Sequence, residues 1–283
     1  NYFSILKDQD VLLHYPYNDF YHLTEWLRQA ATDPAVESIR ISLYRVASSS
    51  LVIKSLLDAV ANGKDVYVVV ELQARFDEEA NIHWSKVLTD AGVRVTFGIA
   101  NVKVHSKLCL ITRREDGRRV RYAHIGTGNF HEKTARIYTD FSLLTAKPEI
   151  TEEVRQVFSF FNAPYRSFVF RHLWVSPVDQ RKKIIQQIDR EIGLAESGKS
   201  AKITLKVNNL ADDDLITKLY EASRAGVVVD ACVRGMCSLI PGVPGMSDTI
   251  RVISIVDRFL EHPRVMIFQN DGDPDAVSYT HLT

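Results

Sequence analysis

VHSKLCLITRREDGRRVRYAHIGTGNFHEKTARIYTD, residues Val104–Asp140, is the stretch on which the reading of this chain turns. It opens as an apolar strand carrying His105 and Lys107 two residues apart, turns at Asp116-Gly117, and returns as a second apolar strand. That strand runs into the small-residue loop Gly126-Thr127-Gly128-Asn129. Residues i and i+2 of a strand share a face, so an imidazole and an ammonium are expected to point into one cleft. The pairing suits phosphoryl chemistry. The ammonium neutralises phosphoryl oxygens while an imidazole nitrogen attacks phosphorus. The bland reading of H-x-K is a surface strand with two polar residues. The two glycines would let backbone N–H groups and Asn129 close on an anion; a tight turn is the simpler account of them.

The flanks read as alternating strands and helices. Ser38–Val46 alternates with period two and carries Arg45 at its outer end. Leu51–Asn62 is a helix capped by serines and stopped by Gly63. Asp65–Leu72 is a β-branched run with Arg75 just beyond it. Asp77–Ala91 is a helix ended by Gly92, and Glu149–Phe161 is another. Strand, helix, strand, helix, strand is the signature of an α/β layer, in which ligands collect beyond the carboxyl ends of the strands. Arg45 and Arg75 fall at such ends. Their guanidinium forks match phosphate better than ammonium groups do. His83, His124 and His131 are expected to be structural or surface histidines rather than catalytic ones.

The pattern returns in the second half. Ala201–Asn208 is a strand, Asp212–Ala225 a helix stopped by Gly226, and Val227–Val233 a strand ending at Arg234. His262-Pro263-Arg264 precedes the apolar Val265–Phe268. The offset is roughly 160 residues, compatible with one domain per repeat. Gly63 falls on Gly226 and His105 near His262. The expected division is 1–165 and 166–276, the second unit incomplete. Residues 277–283 are expected to be a non-native tail.

Bulk composition narrows the partners. Of the 283 residues, 35 are basic and 35 acidic, so no overall field draws the protein to nucleic acid or a membrane, and an anion site must be a local cluster. No apolar run is long enough to span a bilayer. The three cysteines, Cys109, Cys232 and Cys237, form no metal or disulfide framework, which suggests reduced thiols and a cytoplasmic protein. No G-x-x-x-x-G-K-[ST] loop is present, so a P-loop nucleotide site is excluded.

Seven blocks resemble the C-terminal half of the bacterial polyphosphate kinases of the first type. They are YRVA (Tyr44–Ala47), VVVELQARFDEEANIHW (Val68–Trp84), HSKL (His105–Leu108), YAHIGTGNF (Tyr122–Phe130), EKTARIYTDFSLLT (Glu132–Thr145), VRGMCSLIPG (Val233–Gly242) and SIVDRFLEH (Ser254–His262). The resemblance spans about Asp10 to Asp273. It implies two phospholipase D-like domains, each a mixed sheet flanked by helices, facing each other across the active site. It implies reversible transfer of the terminal phosphate of ATP to polyphosphate, in a cytoplasmic or membrane-associated homo-oligomer without nucleic-acid partners.

By the same resemblance the residue matching His105 becomes phosphorylated. His262 assists as acid/base or phosphate ligand, and Tyr138, Arg234 and His262 contact the nucleotide. Arg45 and Arg75 belong to the magnesium–phosphate site. A guanidinium cannot ligate a cation, so these two are read as holding phosphates that Mg2+ bridges. One departure matters. The wider phospholipase D pattern places an acid five residues after the H-x-K lysine, where this chain has Thr112. That weighs against the rival reading as a phosphodiesterase or phosphatidyltransferase. A second rival is a non-catalytic polyphosphate-binding scaffold.

Overall fold

The computed structural model describes residues 1–45, 47, 50–71, 78–99 and 102–273. The chain divides into two units, Asn1–Leu173 and a second from Trp174 onward. Arg75 and residues 277–283 lie outside the described residues.

The first unit is built on seven strands in the order β1-β7-β6-β5-β2-β3-β4. β2 (Val36–Leu43), β3 (Asp65–Val70) and β4 (Arg94–Phe97) run parallel, joined by α3 (Leu51–Ala61) and α4 (Glu78–Asp90). The other neighbours in the sheet, β2·β5, β5·β6, β6·β7 and β7·β1, are antiparallel: β5 is Leu108–Glu115, β6 Arg118–Gly126, β7 Tyr138–Thr145 and β1 Val11–Tyr15. The β5–β6 hairpin turns at Asp116 and Gly117, both with positive φ (48° and 76°), as tight two-residue turns require. Helices α1 (Tyr2–Asp8), α2 (Tyr21–Thr32) and α5 (Pro148–Asn162) complete the unit. Its core joins Trp26 and Leu27 of α2, Leu56 of α3, and Ile39, Ile41, Val68, Cys109 and Ile111 of the sheet. These central strands are covered on both faces, which is why β3 reads as an unbroken apolar run.

The first unit continues to Leu173, past the expected division after residue 165. The buried carboxylate of Glu153 in α5 accepts hydrogen bonds from the backbone N–H groups of Arg171 (2.6 Å), His172 (3.0 Å) and Leu173 (2.7 Å), which bind that segment to α5.

The second unit has a four-stranded sheet. β8 (Lys202–Val207), β9 (Val228–Val233) and β10 (Ile250–Ile253) are parallel, and β12 (Val265–Phe268) lies antiparallel to β8; a two-residue strand, β11 (Leu260–Glu261), precedes it. Helix α6 (Gln180–Glu196) precedes β8, and α7 (Asp213–Arg224) joins β8 to β9. The order β12-β8-β9-β10 repeats β5-β2-β3-β4 of the first unit, strand direction included. The duplication read from the sequence is therefore present in the topology. The α3 and α7 ends are closed by Gly63 (φ 76°) and Gly226 (φ 91°), equivalent residues in the left-handed region that glycine favours.

Candidate active site

Strand direction gathers one edge of the first sheet. The carboxyl ends of β1, β2, β3 and β6 lie there with the starts of β5 and β7. Tyr44-Arg45, Glu71, His105-Ser106-Lys107, Gly126–Asn129 and Tyr138 all belong to these ends. Arg45, His105 and Tyr138 are half-buried; Asn129 is at the margin of burial and Lys107 is only 1 % exposed.

The strand expected to carry His105 and Lys107 begins one residue later, at Leu108. The triplet is its lead-in, fixed by a side chain as well as by the backbone bond from Gly126 to the Lys107 carbonyl. The fully buried Ser42 hydroxyl donates to the Ser106 carbonyl (2.9 Å) and accepts from the Leu108 N–H (3.0 Å). The Ser106 hydroxyl lies 3.1 Å from the same oxygen. Upstream, the buried Glu71 carboxylate accepts from the Val104 N–H (2.8 Å). The Asn81 amide of α4 donates to the carbonyls of Tyr44 (3.0 Å) and Glu71 (2.9 Å), joining the loops that follow β2 and β3.

At the centre of this frame is the Tyr44 ring. It meets the His105 imidazole edge to face, with centroids 4.5 Å apart and planes at 82°. Lys107 Nζ lies 5.0 Å from its centroid, Lys103 Nζ 5.4 Å and Arg45 Cζ 5.8 Å. Lys107 also donates to the His105 carbonyl (2.5 Å). His105, Lys107 and Arg45 are thus brought around one aromatic ring.

The glycine loop has a different basis from the one its composition suggests. The N–H groups of Gly126 and Thr127 are committed to the carbonyls of Lys107 (2.9 Å) and Phe141 (3.0 Å). The glycines make room for side chains. A Cβ on Gly126 would stand 2.6 Å from His124 Cε1, and one on Gly128 2.6 Å from Asp140 Oδ2. Thr127 Oγ1 donates to Asp140 Oδ1 (2.6 Å), and His124 Nε2 meets Ser142 Oγ (2.8 Å). His131 accepts from the Thr134 N–H (3.3 Å) at a 3-10 turn. Histidines 124 and 131 therefore have structural partners, as the sequence reading held. Burial pushes the Cys109 thiol far above its ordinary value, which makes it a poor nucleophile at neutral pH.

In the second unit Arg234 directly follows β9, its N–H reaching the Val207 carbonyl (3.4 Å). His262 is buried and directly follows β11. Arg264 Nη1 donates to the His262 carbonyl (2.9 Å), the bond that Lys107 makes to His105. Register makes the match residue by residue. Ile41 faces Cys109, four residues after His105, and Leu205 faces Met266, four after His262. Ser42 therefore corresponds to Lys206, which pairs with Glu261, and Tyr44 corresponds to Asn208.

Among the described residues no cluster of three or more His, Cys, Asp or Glu side chains could hold a metal ion. Arg45 has no lone pair to give one. Magnesium enters below as part of a Mg-ATP substrate. Ser42, Tyr44, Glu71 and Asn81 are the residues that motif reading missed. Ser42 sits on the polar side of the alternation in SIRISLYRV, which points to solvent unless the strand is covered on both faces.

Two family models match, one described as polyphosphate kinase C-terminal domain 1 over residues 1–167, the other as C-terminal domain 2 over 173–279. Polyphosphate kinase from Vibrio vulnificus is 63% identical over 276 residues, covering 98% of this chain and 39% of that protein. The Escherichia coli enzyme is 59% identical over 273 residues, covering 96% of this chain and 40% of its own. The crystal structure of polyphosphate kinase from Porphyromonas gingivalis superposes with a TM-score of 0.86 at 40% identity, over 95% of this chain and 44% of that one. The chain thus spans about two-fifths of the length of the curated relatives it matches.

Proposed function

The chain belongs to the polyphosphate kinase family, as its two C-terminal domains, and from that premise we propose that it carries the phosphate-transfer centre of such an enzyme. The observation that supports this reading most directly is the His105-x-Lys107 lead-in, set against Tyr44 with Arg45 at the carboxyl edge of the sheet.

In the proposed first step an imidazole nitrogen of neutral His105 attacks the γ-phosphorus of ATP in line. The N–P bond forms, the bond to the β,γ-bridging oxygen breaks, and ADP leaves with that electron pair. In the second step a terminal oxygen of polyphosphate attacks the same phosphorus, the N–P bond breaks, and neutral His105 returns. Both steps are reversible. Positioning and charge stabilisation carry most of such a transfer. Lys107, Arg45 and Arg75 neutralise charge on the transferred group. Tyr138, Arg234, Asn129 and His262 hold nucleotide and phosphate, with His262 as acid/base or phosphate ligand. Mg2+ arriving with ATP would screen the remaining phosphate charge. Thr112 pairs with Arg121 within the β5–β6 ladder, so no acid stands where the hydrolytic phospholipase D pattern has one.

The test is His105→Ala in the full-length protein, incubated with γ-labelled Mg-ATP. Label on the wild type and none on the variant is the expected result. Label that persists in the variant rejects His105 as the acceptor.

A further inference from the structure

Tyr44 has no role in the transfer just described, yet its surroundings are unusual for a buried aromatic. It is buried but stands outside the apolar core cluster of its unit. Its ring neighbours are one imidazole and three cations instead. Its carbonyl is held by Asn81, which also holds Glu71, whose carboxylate holds Val104 beside His105. The Tyr44 backbone is therefore tied, through Asn81 and Glu71, to the chain just before the histidine.

We propose that Tyr44 is a positioning residue for the phosphate-accepting imidazole, one that sets the plane of His105 and collects Arg45, Lys103 and Lys107 around it. This inference rests on the phosphohistidine reading above. The terminal torsion of histidine is broad, so without a neighbour the imidazole can present either ring nitrogen. An edge-to-face contact at 82° restricts that rotation. The ring also faces three cations. An aromatic face attracts cations through its quadrupole while adding no net negative charge. The matching position of the second unit is Asn208, so the ring is a feature of the unit that carries the proposed nucleophile and not of the repeat as such.

The experiment uses full-length protein with Mg-ATP and compares wild type, Tyr44→Phe and Tyr44→Met. Two quantities are read: the rate at which phosphate appears on His105, and, by phosphorus NMR, which ring nitrogen carries it. Phenylalanine keeps the ring, so Y44F should stay within about threefold of wild type and give the same single isomer. Methionine keeps the bulk and loses the face. Y44M should fall roughly 10- to 100-fold in rate, give both isomers, and change the KM for ATP less than the rate. A merely structural loss would not alter the isomer. Should Y44M fail to fold, Tyr44→Leu read in the same way decides in its place. Wild-type rate and isomer in the ring-less variant overturn the inference, as does a Y44F defect as large as that of Y44M. Wild-type protein with no phosphate on His105 overturns the phosphohistidine reading and this inference with it.

Discussion

Ser42→Ala removes one hydroxyl from beneath the His105 triplet and leaves every charged and aromatic neighbour in place. The lost oxygen is fully buried, accepts from the Leu108 N–H at 3.0 Å and donates to the Ser106 carbonyl at 2.9 Å. Its removal strands two backbone groups that the sheet ladder does not reach. An orphaned buried polar group costs about 1–3 kcal/mol. The Leu108 amide lies inside and takes the middle of that range, about 2 kcal/mol; the Ser106 carbonyl, at a half-buried residue, takes the bottom, about 1 kcal/mol. The sum, about 3 kcal/mol, corresponds to a population of locally opened lead-in raised on the order of 100-fold. Native-state amide exchange over residues 104–108 reads that population directly. S42A should exchange there on the order of 100-fold faster, with β3 and α5 unaffected. Phosphate uptake by His105 should slow in the same variant, since the histidine backbone then loses the Ser42 anchor just beyond it. Exchange within threefold of wild type would refute the reasoning, because it would mean that something other than Ser42 pins the triplet.

Gly128→Ala and Gly63→Ala should separate two uses of glycine. A Cβ at Gly63 meets nothing within 4 Å and pays only for its φ of 76°, about 1 kcal/mol, whereas one at Gly128 meets Asp140 Cβ at 2.8 Å and should cost about 3 kcal/mol. Denaturant unfolding ranks them, and the reverse order would overturn the close-approach account. Two of the buried glutamates, Glu153 and Glu191, should respond to acid with opposite sign. Burial works to raise Glu153, but the N–H groups of Leu173, Arg171 and His172 outweigh it and hold the carboxyl below its ordinary range. Its contribution is therefore present above the ordinary carboxylate pKa and lost as pH falls through its depressed value. Burial dominates at Glu191, which is raised despite accepting from Asn270 (2.6 Å) and Lys202 (3.0 Å). That unit gains from protonation of Glu191 as pH falls below its raised value. Amide exchange at residues 171–173, followed from pH 6 to about pH 3, should rise beyond its intrinsic pH dependence in the wild type. In Glu153→Gln it should already be raised at pH 6, and a pH-independent protection factor in wild type would sink the assignment.

The alternation in Ser38–Val46, the β-branched run before Glu71 and the glycines after α3 and α7 made the strand–helix succession legible, because each rests on a local rule of periodicity or capping. The Asp116-Gly117 turn was legible for the same reason. The frame around His105 was not. Ser42 reaches across 64 residues to Ser106, Glu71 across 33 to Val104, and Asn81 across 37 to Tyr44. Contacts at such separations leave no period in the sequence. The glycine loop was only partly legible for a related cause. Two glycines close together mark some close approach, but only the fold shows that His124 and Asp140 are among the approaching groups.

The duplicated topology makes the difference between the two histidines informative. Both triplets use their cation to fix the histidine carbonyl, Lys107 in one and Arg264 in the other. What lies beneath them has diverged. Under His105 a serine hydroxyl grips the backbone on both sides of Lys107, and an aromatic ring faces the imidazole. Under His262 the matching serine position is Lys206, which pairs with Glu261, and the matching ring position is Asn208. A nucleophile needs its reacting atom held to within a fraction of an ångström. A group that donates a proton or steadies a phosphate tolerates a looser mount. The backbone staple and the ring occur in the copy that carries His105, the copy to which the covalent step is assigned in the proposed function.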